Sequence, residues 1–168
     1  MNGFSGSVIV HRSLSIQEWR RMAAEGAAPP VRIQLNGVSM FPLVRWKRDY
    51  VTIVQPTGIP TAGDIVLYSD YLNGKERYVV HRVWEVRGGK ILTWGDNCAA
   101  PDGWCAAKDI LGKVVLIERG NRKIIPDPRK GIRWGKFWHQ AGKAYRVLES
   151  YKAAAGRRIR KLFERGNR

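Results

Sequence analysis

Three residue types that together can cleave an acyl bond stand on separate elements of this chain. Ser39 lies in Gly37-Val38-Ser39-Met40-Phe41-Pro42, a Pro-terminated turn after an apolar strand. His81 stands in the apolar run Tyr78-Val79-Val80-His81-Arg82-Val83. Asp96 and Asp102 follow in a loop that opens on Gly95-Asp96-Asn97. A serine hydroxyl is a poor nucleophile until a base takes its proton. It also needs a rigid turn with backbone N–H groups aimed at the developing oxyanion. Gly37 permits a backbone angle that other residues avoid, Pro42 fixes the exit, and Met40 and Phe41 place apolar surface beside the nucleophile. His81 is the candidate base. A carboxylate bonded to it would fix its tautomer and stabilise the imidazolium, and Asp96 and Asp102 are both candidates for that task. Each residue alone has a plainer reading: a turn serine, a buried histidine satisfied by a carbonyl, an ordinary turn aspartate. Trp94 and Trp104 flank the acidic loop and could shield the site from water.

The elements that must position these groups are mostly strands. Ser13 to Gly26 reads as a short helix, with Ser15 as N-cap, Glu18 completing a capping box, and Gly26 as terminator. Strands are expected over Val31–Leu35, Tyr50–Val54, Asp64–Tyr68, Arg77–Val86, Ile91–Trp94 and Ile110–Glu118. Asn73-Gly74 and Gly88-Gly89 are hairpin turns between them. Short strands with a turn every 8–15 residues predict a mainly β fold, an antiparallel sheet folded into a partly closed barrel. From about Gly131 the apolar residues recur every three or four positions, beginning with Trp134, Phe137 and Trp138. That is a helical stripe with Lys and Arg on the other faces, weakened at Gly135, Gly142 and Gly156. The expected organisation is an N-terminal helical segment (1–30), a core carrying the chemistry (31–120) and a basic amphipathic helical tail (121–168).

Charge separates the tail from the body. Residues 1–118 hold 14 Lys+Arg and 11 Asp+Glu, whereas residues 119–168 hold 16 and 3. A basic arm of this kind is aimed at an anionic surface or is a solvated helix face. No apolar run reaches the roughly 18–20 residues that span a bilayer, and the N-terminus has no signal-peptide pattern. The expected location is cytoplasmic, with peripheral contact at the inner membrane face. Cys98 and Cys105 are expected to be free thiols, a disulfide between them being the alternative. No His/Cys cluster has metal spacing and no phosphate-binding loop appears, so no metal and no cofactor are expected.

Four blocks, in order, resemble the peptidase core shared by type I signal peptidases and self-cleaving SOS repressors. They are Gly37-Val38-Ser39-Met40-Phe41-Pro42; Gly63-Asp64-Ile65-Val66; Val80-His81-Arg82-Val83; and Gly95-Asp96-Asn97 with Asp102 and Ile110-Leu111-Gly112-Lys113-Val114. The resemblance runs from about Leu35 to Val115. Most bacterial signal peptidases and the repressors use a lysine where this chain has His81. The histidine resembles the endoplasmic-reticulum, archaeal and sporulating-bacterial branch, which uses Ser, His and Asp. There the aspartate six positions after that of Gly-Asp-Asn is the usual third member, here Asp102, with Asp96 a supporting carboxylate. The resemblance implies that Ser39 attacks a peptide carbonyl, His81 carries the proton, and water hydrolyses the acyl-enzyme.

Three features depart from that pattern. No membrane anchor is expected before the serine, where the sequence offers an amphipathic helix at most, as in short soluble bacterial members found among peptide-modification genes. The position two before the serine, often a hydroxyl donor to the oxyanion, is Gly37. The basic, Trp-rich tail is additional. The leading reading is a serine endopeptidase that removes a signal-like or leader segment, with small side chains at the cleavage site as the resemblance implies. The expected partners are a peptide or protein substrate and, through residues 130–168, an anionic membrane; nucleic acid is disfavoured. The alternative is a non-catalytic peptidase-like module whose tail binds anionic membrane, nucleic acid or an acidic partner.

Overall fold

The computed structural model describes residues 15–26, 28–72, 74–137 and 139–140. Helix α1 (Ile16–Ala24) starts as the sequence predicts. The Ser15 hydroxyl accepts from Glu18 N–H, and the Glu18 carboxylate accepts from Ser15 N–H at 2.8 Å. Eight strands follow: β1 (Val31–Ile33), β2 (Asp49–Val54), β3 (Ile65–Leu72), β4 (Lys75–Arg87), β5 (Lys90–Trp94), β6 (Gly103–Ala106), β7 (Ile110–Arg119) and β8 (Arg122–Ile124). All their pairings are antiparallel. The order is β1-β2-β7-β3-β4-β5-β6, with β8 added to β7. The mainly β, antiparallel expectation holds. The hydrogen-bonded path keeps two free ends among the described residues, so the sheet is not closed.

Two short strands escaped the sequence pattern. β6 is four residues long, and only its pairing with β5 identifies it as a strand. Cys105 therefore lies in a strand while Cys98 stays in the loop, and both thiols are free. β8 is a three-residue return after the Gly120-Asn121 turn, so the sheet continues past residue 120.

β3 is the spine of the fold. Ile65 and Leu67 join Trp19, Val51, Ile53, Val114 and Ile117 in one apolar cluster. Val66 and Tyr68 join Val83, Ile91 and Ile110 in another. Successive strand residues face opposite ways, so an unbroken apolar run is what a strand buried on both faces requires. α1 covers the first cluster with Trp19, which is fully buried and donates its indole N–H to the Pro29 carbonyl at 2.7 Å. Gln55 donates to the α1 carbonyl of Ala23, and Arg20 pairs with Glu76 of β4. α1 is thereby tied to the end of β2 and to β4.

A C-terminal helix begins at 128, earlier than the apolar stripe implies. Asp127 caps it, accepting from the N–H groups of Arg129 and Lys130, and Pro128 occupies the first helical position. Gly131 and Gly135 face the sheet: a Cβ on Gly131 would lie 2.3 Å from Arg82 Nη1, and one on Gly135 3.3 Å from Trp84. The glycine that weakens the helix locally is what lets it approach. His139 is buried against Trp84 and Trp94, while Trp134 and Phe137 are partly exposed. Trp138 and the stripe from residue 141 onward, with Gly142 and Gly156, lie outside the described residues.

Replacing Trp19 with Ala should cost about 3–5 kcal/mol, the usual range for a buried Trp or Phe cut to Ala. Urea denaturation measures this, and an unchanged midpoint would remove α1 from the core.

Candidate active site

The serine turn is held from two sides. Gly37 adopts φ +102°, the left-handed region that favours glycine, with open space where a Cβ would be. The backbone angle, and not crowding, calls for glycine there. Met40 is buried in the first apolar cluster, Phe41 is partly exposed, and the Phe41–Pro42 bond is cis. At the far end Arg119 donates to Leu43 O at 2.8 Å and to Asp49 Oδ2 at 2.7 Å. Asp49, itself fully buried, also accepts from Arg45 N–H. Burial would raise the Asp49 carboxyl pKa; Arg119 and the Arg45 N–H reverse this and hold it below the usual range. At the near end Asn97 N–H donates to Ser39 O at 2.7 Å, and its side-chain amide to Val38 O at 3.2 Å.

The loop that supplies Asn97 is fixed by its neighbour. Asp96 receives both Nε and Nη2 of Arg82, at 2.8 and 2.7 Å, and both residues are essentially buried. Arg82 Nη1 donates to Gly63 O at 2.9 Å. Asp96 is therefore not the partner of His81. It fastens the Gly95-Asp96-Asn97 turn to β4, and through Asn97 to the serine turn.

Asp102 is the partner. His81 Nδ1 and Asp102 Oδ2 are 2.6 Å apart, with side chains 7% and 15% exposed. Asp102 is placed by its own N–H, which donates to Thr93 O at 3.0 Å where β6 begins. Burial alone would lower the His81 pKa. The Asp102 carboxylate and the sulfur of Cys98 outweigh it and raise the pKa from 6.5 to about 9. Burial would raise the Asp102 pKa, and His81 lowers it on balance.

His81 Nε2 points to a crowded spot. A Cβ on Gly95 would lie 2.8 Å from Nε2, 2.7 Å from Cys98 Sγ and 2.9 Å from Ser39 O. Ser39, His81, Cys98 and Asp102 all line one cleft of about 610 Å³. Ser39 Oγ makes no hydrogen bond to His81, so the structure joins two of the three predicted residues directly and brings the third to the same wall. The cleft is also lined by Val31 and residues 33–37, by residues 77–81, and by Ile16 and Trp19 of α1. β1 pairs only with β2, and β4 meets β5 only from Arg82 onward. Both strands thus carry an unpaired edge among the described residues.

Trp94 and Trp104 do not line this cleft. Trp94 packs on Trp84 and His139 and donates its indole N–H to Cys98 O, while Trp104 is 45% exposed. Sequence reasoning missed Cys98 as a neighbour of the base, since its spacing relative to Cys105 alone drew attention. It also missed Tyr68 and Thr93, which sit beside Asp102 and look like ordinary strand residues.

The chain is similar to the signal peptidase complex catalytic subunit SEC11 of Pyricularia oryzae, with 33% identity over 123 residues. The match covers 61% of this chain and 66% of that protein, just under two thirds of its length. The similarity supports a place in the signal peptidase superfamily. No family model matches the chain, and no solved structure matches it. Among the described residues no group of three or more His, Cys, Asp or Glu could hold a metal, and no helix is long and apolar enough to cross a membrane.

The His81–Asp102 pair predicts a measurable pH response. A histidine pKa raised on folding adds stability that is fully present below 6.5 and is lost as pH rises through about 9. NMR titration should place His81 near 9, and Asp102→Asn should bring it down. A His81 that titrates at 6.5 in both proteins would refute the ion pair.

Proposed function

We propose that this protein is a serine endopeptidase of the signal peptidase type that removes a signal-like or leader segment from a peptide or protein substrate. The observation that carries the proposal is the 2.6 Å His81–Asp102 contact on the cleft that Ser39 also lines, in a chain similar to a signal peptidase catalytic subunit. Ser39 Oγ attacks the scissile carbonyl carbon and gives its proton to His81 Nε2. His81 passes that proton to the leaving amine, and an ester to Ser39 remains. Water, deprotonated by His81, then opens the ester, releasing a carboxylate and the free serine. Asp102 keeps Nδ1 protonated and stabilises the imidazolium in both halves.

The oxyanion needs donors already in place. Gly37 supplies no hydroxyl, and the Ser39 N–H, engaged by no backbone hydrogen bond among the described residues, is the candidate. The two unpaired edges beside the cleft suit an extended substrate that adds as a strand. Small side chains are expected at the cleavage site from the likeness to signal peptidases. The basic tail, 130–168, is assigned to anionic lipid at the inner membrane face.

Ser39→Ala and His81→Ala should each abolish cleavage of a leader peptide while the fold, followed by circular dichroism, is retained. Full activity in both variants rejects the assignment and favours the binding-module alternative. His81 must be neutral to accept the serine proton, so kcat/KM should rise with pH through about 9. A profile already flat above pH 7 would contradict this.

The tail makes a separate prediction. The protein should co-sediment with vesicles containing anionic lipid, and deleting 130–168 should weaken this. Binding that is indifferent to lipid charge and to the deletion removes the membrane assignment.

A further inference from the structure

Two buried hydroxyls beside Asp102 have no task in the chemistry above. Tyr68 of β3 is 3% exposed and Thr93 of β5 is 1% exposed. Neither oxygen makes a well-directed hydrogen bond to any described group. Buried polar atoms without partners are uncommon and call for an explanation. Asp102 N–H already donates to Thr93 O, which places Thr93 next to Asp102 in the fold. The Asp102 carboxylate uses Oδ2 for His81, and among the described residues no side-chain hydrogen bond is made to Oδ1.

A carboxylate held by one oxygen can swing about its Cβ–Cγ bond, and the imidazole it holds then loses its aim. A phenol and a hydroxyl can each donate one hydrogen bond and accept others. We propose that Tyr68 and Thr93 are positioning residues whose hydroxyls hold the second oxygen of Asp102, so that Oδ2 stays aimed at His81 Nδ1. The proposal rests on the reading of His81 as base and Asp102 as its orienting acid. Both hydroxyls act on the Asp102 carboxyl, in the direction that favours its charged form. Burial, and then the charge of Asp102, push the Tyr68 phenol pKa up, so it remains a donor wherever His81 titrates. The other titratable groups acting on this cluster are Asp70 from β3, Arg77 from β4, Cys98 from the loop and Cys105 from β6.

Removing a donor concentrates the carboxylate charge on His81 and loosens its orientation. Tyr68→Phe, which keeps the ring, should therefore raise the His81 pKa measured by NMR on the full chain. The same variant should lower kcat about tenfold, with KM unchanged, the scale of one hydrogen bond to a charged group. Thr93→Val should act in the same direction. Thr93→Ser, which keeps the hydroxyl, should restore the wild-type titration. A role in packing alone would not move the titration. An unchanged His81 pKa in both Tyr68→Phe and Thr93→Val overturns the proposal, whatever activity does. A shifted pKa in a chain whose wild type cleaves no peptide keeps the positioning role and refutes the peptidase reading instead.

Discussion

The buried pair of Arg82 and Asp96 is the constraint on which the rest of the site depends. One guanidinium binds the Asp96 carboxylate through two nitrogens and the Gly63 carbonyl through the third. The C-terminal helix lies over it at Gly131. Such pairs contribute little net stability, because desolvation offsets their attraction, yet removing one partner leaves an uncompensated buried charge. Here the value of the pair is geometric. His81 and Arg82 are adjacent on β4 and so point to opposite faces. One residue pair in one strand therefore presents the candidate base and fastens the loop that grips the serine turn.

That arrangement divides two carboxylates that looked equivalent in sequence. Asp96 meets a cation with a permanent charge and becomes structural. Asp102 meets a histidine, whose charge depends on pH, and orients it. The same contact that orients His81 raises its pKa to about 9. Between pH 6.5 and 9 the folded state is favoured by the protonated pair, whereas the proposed chemistry needs the neutral imidazole. Stability and proton acceptance therefore oppose each other over this window.

Much of this was legible in the sequence because the signals are local. Ser15 and Glu18 fix the start of α1, the unbroken run Ile65–Tyr68 marks a strand buried on both faces, and glycine at 37 marks a left-handed turn. Asp102 rather than Asp96 came from family likeness and not from spacing, since a carboxylate's partner depends on tertiary packing. β6 and β8 are too short to show a period and exist through their pairing with β5 and β7. Tyr68 and Thr93 look like ordinary strand residues, so nothing in one dimension marks the two buried hydroxyls assigned above to Asp102. The apolar stripe near Trp134 mixes two environments: Gly135 and His139 pack inward while Trp134 and Phe137 are partly exposed.

The tightest spot in the site is where Gly95 has no side chain. Ser39 O, Cys98 Sγ and His81 Nε2 all come within 3 Å of the position its Cβ would take. The serine turn is clamped at one end by Asn97 and at the other by Arg119 with Asp49. With both ends fixed, the backbone of the turn has little freedom, and the contact left to form is a side-chain one, between Ser39 Oγ and Nε2. Cys98 occupies the same neighbourhood and contributes to the raised pKa of His81. The reach of the proposed base is thus set by three small groups at one point: an absent methyl, a thiol and a carbonyl. A change as small as one carbon at residue 95 would act on the base, the thiol and the serine turn together, without touching the Arg82–Asp96 pair that holds the loop.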